Sequence, residues 1–156
     1  MHRLWLAICL LFSTTVSAEE LLLDWIDLIP EKERNQVIAM PMIDHEGEAQ
    51  QSLVGDVRTE LNGSEVKIPG FVIPLEGDDQ VVTEFLLVPY FGACIHVPPP
   101  PPNQIVYVKF AKGAPLQELW DVVYVTGILK TEHISSELAE VAYILEGNAV
   151  LPYDEY

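Results

Sequence analysis

Hydrophobic alternation with a period of two in about five short segments, turn residues between them, and no strand–helix–strand rhythm together predict a mainly β protein. The architecture that suits this pattern is a small antiparallel OB-like barrel of about five strands with an N-terminal helical segment. A β-sandwich is the alternative. The chain has no internal repeat, and the 138 residues after Ala18 suffice for one domain with its own core.

The first 18 residues read as a secretory signal peptide. Met1-His2-Arg3 is a short basic start, Leu4 to Phe12 is apolar, and Val16-Ser17-Ala18 is a small-residue cleavage site. The apolar run is too short to span a bilayer, which takes ~20 residues. Cys9 lies inside that run, preceded by Ile8 where a lipoprotein signal would have a small residue. The expected mature chain therefore begins near Glu19, is periplasmic and carries no stable membrane anchor.

Residues 19–63 read as a helical lead-in followed by an acidic loop. Leu22, Trp25, Ile26 and Ile29 recur at helical spacing within Glu19 to Ala39, and Pro30 can start a second short helix. Met40 to Gly63 is polar and poorly periodic, with Asp44-His45-Glu46-Gly47-Glu48 at its middle, and is expected to be a mobile loop.

Residues 64–156 form the expected barrel domain. Glu65 to Leu75 alternates and is bent at Pro69-Gly70, and Gly77-Asp78-Asp79 signals a turn. Thr83 to Val88 is apolar on both faces after Glu84, as a central strand would be. Gln104 to Phe110 places Val106, Val108 and Phe110 on one face and Ile105, Tyr107 and Lys109 on the other. Gly113-Ala-Pro115 is expected to break that strand, and Leu116 to Trp120 to form a short helical turn. Asp121 to Lys130 is a long strand in which Gly127 marks a close backbone approach or a bend. Leu138 to Leu145 is the last strand, stopped by Gly147-Asn148.

Charge narrows the function classes. Lys plus Arg number 8 against 24 Asp plus Glu, a net charge of −16, and losing Arg3 with the leader takes it to −17. Such a surface repels phosphate backbones, so nucleic acid is not an expected partner. It suits an exported soluble protein, and it attracts cations or a basic partner surface.

Cys94 is the single cysteine left after processing, so no internal disulfide can form in an oxidising compartment. It sits in Pro89-Tyr-Phe-Gly-Ala-Cys94-Ile-His96-Val-Pro98-Pro-Pro-Pro-Pro102-Asn103-Gln104. If Phe91 to Val97 is extended, Phe91, Ala93, Ile95 and Val97 share the core face and Cys94 and His96 share the other. Thiolate and imidazole are preferred donors for zinc and copper. Two donors fall short of the three that zinc usually takes from protein, so His133, His45 or Glu76 would have to complete the set. The same pair fits a reactive thiol, or a small buried cysteine beside a histidine bonded to backbone. The five prolines form a stiff rod, either a fixed connection or a ridge for a partner's aromatic groove. Asn103 and Gln104 are expected to bond backbone groups where the rod rejoins the sheet. Trp120, Tyr107 and Tyr124 could stack on sugars but more commonly belong to a core. No nucleophile elbow, phosphate loop or Cys-X-X-Cys motif is present.

The chain resembles an uncharacterised "domain of unknown function" family of exported bacterial proteins. The resemblance rests on Lys67-Ile-Pro-Gly-Phe-Val-Ile-Pro-Leu-Glu76 and on Glu84-Phe-Leu-Leu-Val-Pro-Tyr-Phe-Gly-Ala-Cys-Ile-His-Val-Pro-Pro-Pro-Pro-Pro-Asn-Gln-Ile-Val106, with looser agreement over Trp25 to Pro30 and Val123 to Leu129. It implies an OB-like barrel, a periplasmic location and genes beside MacB-like ABC transporters, some in clusters linked to zinc supply. It brings no catalytic residues. The reading is thus a soluble periplasmic accessory protein of an envelope ABC-type transport system, binding zinc through Cys94 and His96. The alternatives are a non-catalytic protein-interaction module with a structural cysteine, and a thiol-dependent enzyme.

Overall fold

The computed structural model of the protein describes residues 20–34, 51–93, 99–115, 121–136 and 138–153. Eight strands run through them in the order β1 (Leu21–Leu22), β2 (Glu65–Gly77), β3 (Val81–Val88), β4 (Val106–Pro115), β5 (Val123–Lys130), β6 (Ile134–Ser135), β7 (Glu140–Val141) and β8 (Tyr143–Pro152). Five of them close a barrel in the order β2-β3-β4-β8-β5, with β5 pairing back onto β2. Four of the five pairings are antiparallel, and β4 with β8 is parallel, the partly crossed topology of an OB barrel.

Closure depends on β2 serving two neighbours. Glu65 to Gly70 pairs with β5, and Phe71 to Gly77 pairs with β3. The strand turns between those partners at Pro69-Gly70, as the sequence predicts. Gly70 leaves room there, since a Cβ would meet Leu87 Cγ at 2.8 Å. The hairpin to β3 is the expected turn, in which Asp78 Oδ1 accepts from Gln80 N and Val81 N. Those two amides also hold the Asp78 carboxyl below the usual carboxylate range.

Val66, Ile68, Phe85, Leu87, Val106, Val108, Phe110, Val125, Leu129, Tyr143 and Leu145 fill the interior. A second cluster lies on the outer face of β2, β3 and β4, where Ile73, Leu86, Val88 and Ile105 are buried beneath Ala93, Ala139 and Val141. Both faces of β3 are therefore covered, which is why its last four residues are apolar without alternation.

Four expectations need correction. The helical lead-in is a two-residue strand, a 3-10 turn at Trp25–Leu28 and a turn at 31–34; residues 35–39 lie outside the described residues. Leu23 N donates to Lys67 O, drawing the chain beside β2, and Pro30 forces Ile29 into an extended conformation. The stripe fails accordingly: Leu22 and Ile26 are exposed while Leu23, Leu28 and Ile29 are buried. Next, the described half of the acidic loop is tied down by side-chain bonds from Gln51 and Arg58 and to Asp56. The other two corrections concern strand ends. β4 continues through Gly113 to Pro115, pairing Ala114 with Val82, and β8 continues through Gly147-Asn148 to Pro152. Glycines in these strands absorb barrel curvature rather than ending pairing.

Gly127 behaves as anticipated. It lies at the register shift between β5 and β8, and a Cβ there would run into the Glu146 carbonyl oxygen. The short helical turn expected at residues 116–120 and the signal peptide lie outside the described residues. No helix among the described residues is long and apolar enough to cross a membrane.

Candidate functional site

The connection between β3 and β4, residues 89–105, carries the Cys-X-His pair. Cys94 and His96 themselves lie outside the described residues, as do His45 and Trp120. What can be built is the frame on either side.

On the entry side the expected extended run does not begin at Phe91. Residues 91–92 form a turn, and Gly92 adopts φ 79°, a left-handed conformation that a glycine accepts readily. This turn breaks the face alternation: Phe91 is 79% exposed, with its ring edge-on to Phe71 at 6.0 Å between centroids. Ala93 is fully buried in the outer-face cluster. Phe91 and Ala93 thus do not share a core face.

On the exit side the described prolines form a strut. Pro100 and Pro102 are buried, and Pro99 and Pro101 half-buried. Proline supplies no N–H, so its carbonyls can be satisfied only by donors from elsewhere. Gln51 Nε2 donates to Pro100 O at 2.8 Å, and Ala142 N to Pro102 O at 3.0 Å. Gln104 N closes a turn onto Pro101 O at 2.8 Å. These bonds favour the rigid-connection reading of the proline run over a free ridge.

Asn103 and Gln104 are buried and bond backbone groups, as predicted. Asn103 Nδ2 donates to Asp56 O, and Gln104 Nε2 to Trp25 O, each at 2.9 Å. Gly55 is needed beside Asn103, because a Cβ there would lie 2.7 Å from its amide atoms.

The proposed accessory ligands are dispersed. His133 is exposed in the connection between β5 and β6, at the same end of the barrel as the proline strut. Glu76 lies near the β2–β3 hairpin, whereas residue 89 leaves β3 beside Phe71. Five residues separate Phe71 from Glu76, roughly 16 Å along a strand. Among the described residues no group of three or more His, Cys, Asp and Glu is close enough to hold a metal ion.

The face formed by strands two and three of an OB barrel is where oligonucleotides and oligosaccharides dock in many such proteins. Here those strands are β3 and β4, and that face is occupied by the chain's own Ala93, Ala139 and Val141. Tyr107, on the same face, donates its hydroxyl to Glu84, and its phenol is pushed up to about 12 by burial and by that carboxylate. Tyr124 is engaged by Lys67, whose Nζ stands 4.3 Å from the ring centroid, and by the Tyr153 ring. Neither tyrosine offers an open stacking platform.

One residue that the sequence reading passed over holds this end of the barrel together. Tyr143 is fully buried, donates its hydroxyl to Leu28 O at 2.8 Å and accepts from Arg58 N at 2.7 Å. Burial raises its phenol above the ordinary value, so it remains a neutral donor through the neutral range. A tyrosine inside an apolar strand start is itself a signal, because a buried phenol needs a partner.

Curated proteins provide no match. The crystal structure of a DUF3299 family protein from Pseudomonas aeruginosa is similar, with 42% sequence identity and a TM-score of 0.72 over 88% of this chain and 99% of that one. The family description "Protein of unknown function (DUF3299)" matches residues 25–152. The chain therefore belongs to the DUF3299 family.

Proposed function

We propose that the protein is a soluble periplasmic accessory protein of an envelope ABC-type transport system, and that it binds zinc through Cys94 and His96. The supporting observation is the frame: Ala93 is buried before the pair, and Pro100 and Pro102 are bonded after it. Preorganised donors bind a metal more tightly than donors that must be ordered on binding. A net charge of −16 favours accumulation of cations, and the occupied β3–β4 face weighs against oligonucleotide or sugar ligands. The likeness to exported proteins encoded beside MacB-like ABC transporters supports the location and the partner.

Zinc titration of the mature protein, of Cys94→Ser and of His96→Ala tests the metal. Affinity should fall in both variants, and equal affinity in all three proteins would remove zinc from the proposal. Cell fractionation tests the periplasmic location. Cross-linking followed by co-purification tests the partner, and recovery of no transporter component would remove it. The second reading, an interaction module with a structural cysteine, is favoured by exposed Phe91 at the edge of the loop. It predicts that Phe91→Ser weakens partner recovery while zinc affinity stays unchanged.

A further inference from the structure

Asn62 is the one asparagine of the chain that a glycine follows. An asparagine so placed can react with its own backbone: the nitrogen of the next residue attacks the side-chain carbonyl carbon, and a glycine, lacking Cβ, leaves that approach open. Here the pair leads from the 3-10 turn at Thr59–Leu61 into β2, with Gly63 left-handed at φ 82°. Asn62 and Gly63 are both exposed, and nothing stands within 4 Å of where a Gly63 Cβ would be. Solvent therefore reaches both reacting groups.

The fold holds those groups apart. Asn62 has ψ 122°, whereas closing the cyclic imide needs Gly63 N eclipsed with the Asn62 Cβ, which in an L residue means a large negative ψ. Two bonds oppose that rotation: Gly63 N donates to Leu129 O at 2.7 Å, and Asn62 Oδ1 accepts from Thr131 N at 3.1 Å. Leu129 N donates in turn to Ser64 O, and Glu65 pairs with Ile128, so these bonds end the β2–β5 seam that closes the barrel. Leu61, buried in the interior cluster, anchors the turn from its other side.

We propose that Asn62 is a spontaneous modification site gated by that seam. When the end of the seam opens, Gly63 N bonds to Asn62 Cγ and the bond from Cγ to the side-chain nitrogen breaks. Solvent takes the Gly63 proton, and the side-chain nitrogen leaves as ammonia. Water then opens the cyclic imide at either carbonyl. Breaking the Cγ–N bond gives aspartate; breaking the backbone C–N bond gives isoaspartate, whose main chain is lengthened by running through Cβ. That added carbon moves Gly63 off Leu129 O, so a converted molecule cannot rebuild the end of the seam.

The test holds the mature protein at mildly alkaline pH, folded or unfolded in urea. Conversion at Asn62 is followed by peptide mass spectrometry and by isoaspartate-specific enzymatic methylation. The folded protein should convert at least about thirtyfold more slowly than the unfolded chain, the factor for two net hydrogen bonds. Equal rates in the two conditions would overturn the inference, because ring closure would then need no opening. Leu61→Ala should speed conversion in the folded protein about tenfold, while Leu86→Ala, on the far side of the barrel wall, should leave it within about twofold. Equal acceleration by the two variants would tie the reaction to global unfolding instead of the seam, and no acceleration by Leu61→Ala would detach it from the turn. An unfolded chain that forms no isoaspartate at Asn62 would remove the site altogether.

Discussion

Tyr143→Phe removes one oxygen atom and leaves the ring in place. In the wild-type protein that oxygen satisfies the Leu28 carbonyl and the Arg58 amide, which lie 115 and 85 residues away in sequence. The buried Leu28 carbonyl left unpaired costs roughly 1–3 kcal/mol, and the Arg58 amide, which water can reach, about 1 kcal/mol. The sum is a loss of ~2–4 kcal/mol, a large part of the 5–15 kcal/mol that typically holds a domain folded. For a domain of this size each kcal/mol corresponds to roughly 3–5 °C, so the melting temperature should fall by about 6–20 °C. Urea denaturation of the mature protein should show a lower midpoint with an unchanged slope, because the surface exposed on unfolding is the same. Tyr124→Phe, at a half-exposed ring whose hydroxyl bonds to none of the described residues, serves as the control and should change stability by no more than ~0.5 kcal/mol. If Tyr143→Phe behaved like that control, the claim that this phenol joins the N-terminal turn to the barrel would be wrong.

Other perturbations probe separate parts of the fold. Gly127→Ala forces a methyl against the Glu146 carbonyl and should cost at least ~2 kcal/mol in thermal or urea melts; a neutral effect would show that β5 and β8 can separate there. Leu86→Ala, on the outside of the barrel, should cost about 2–4 kcal/mol because Ala139 and Val141 bury it; a loss under ~0.5 kcal/mol, as for an exposed strand residue, would show that this face is open. The Tyr107 phenol is raised to about 12 from an ordinary value near 10. Its contribution to stability is complete below pH 10 and is lost as pH rises through about 12, since the unfolded chain ionises first. Tyrosinate absorbance should lose amplitude at its late-titrating end in Tyr107→Phe, and a loss confined to the groups that titrate near pH 10 would refute the assignment. In the hairpin, Asp78→Ala removes the acceptor for two backbone amides and should cost about 1 kcal/mol, whereas Asp78→Asn keeps it and should cost less. Equal losses would refute the turn's reliance on that oxygen.

The legible parts of the fold were those in which local chemistry and tertiary need coincide. Glu65 to Gly70 alternates because Val66, Ile68 and Gly70 are buried on one face. Asp78 turns the chain with its own carboxylate, and Gly127 is small because another backbone crosses it. The lead-in misled because Leu22, Trp25, Ile26 and Ile29 fit a helical stripe by spacing alone. A parallel pairing with β2 and the constraint of Pro30 override that pattern. Gly113 and Gly147 looked like stops because a glycine reads the same in sequence whether a strand ends or bends. Phe91 was assigned inward by alternation, but that alternation does not survive a glycine at φ 79°. Gln51 was invisible for another reason: its partners are 49 and 89 residues away, and no local pattern encodes such a bond. Asn103 and Gln104 could be anticipated because a donorless proline rod must rejoin the sheet through side chains that can donate.

The distribution of these bonds carries the last step. At the β2–β3 hairpin the described side-chain bonds to backbone are local: Asp78 to its own turn and Thr83 to Glu76. At the other end, Gln51, Arg58, Asn103, Gln104 and Tyr143 each reach across 31 or more residues to bond a backbone group. Five strand pairings and two apolar clusters close the barrel, and those ties add to that framework. Each of them constrains a connection rather than a strand, and together they join the described exit of the β3–β4 connection, the N-terminal turn and the 51–58 segment. Satisfied polar networks of this kind specify geometry more than they add stability. The proline strut that leads into β4 is therefore held in place by bonds from segments distant in sequence.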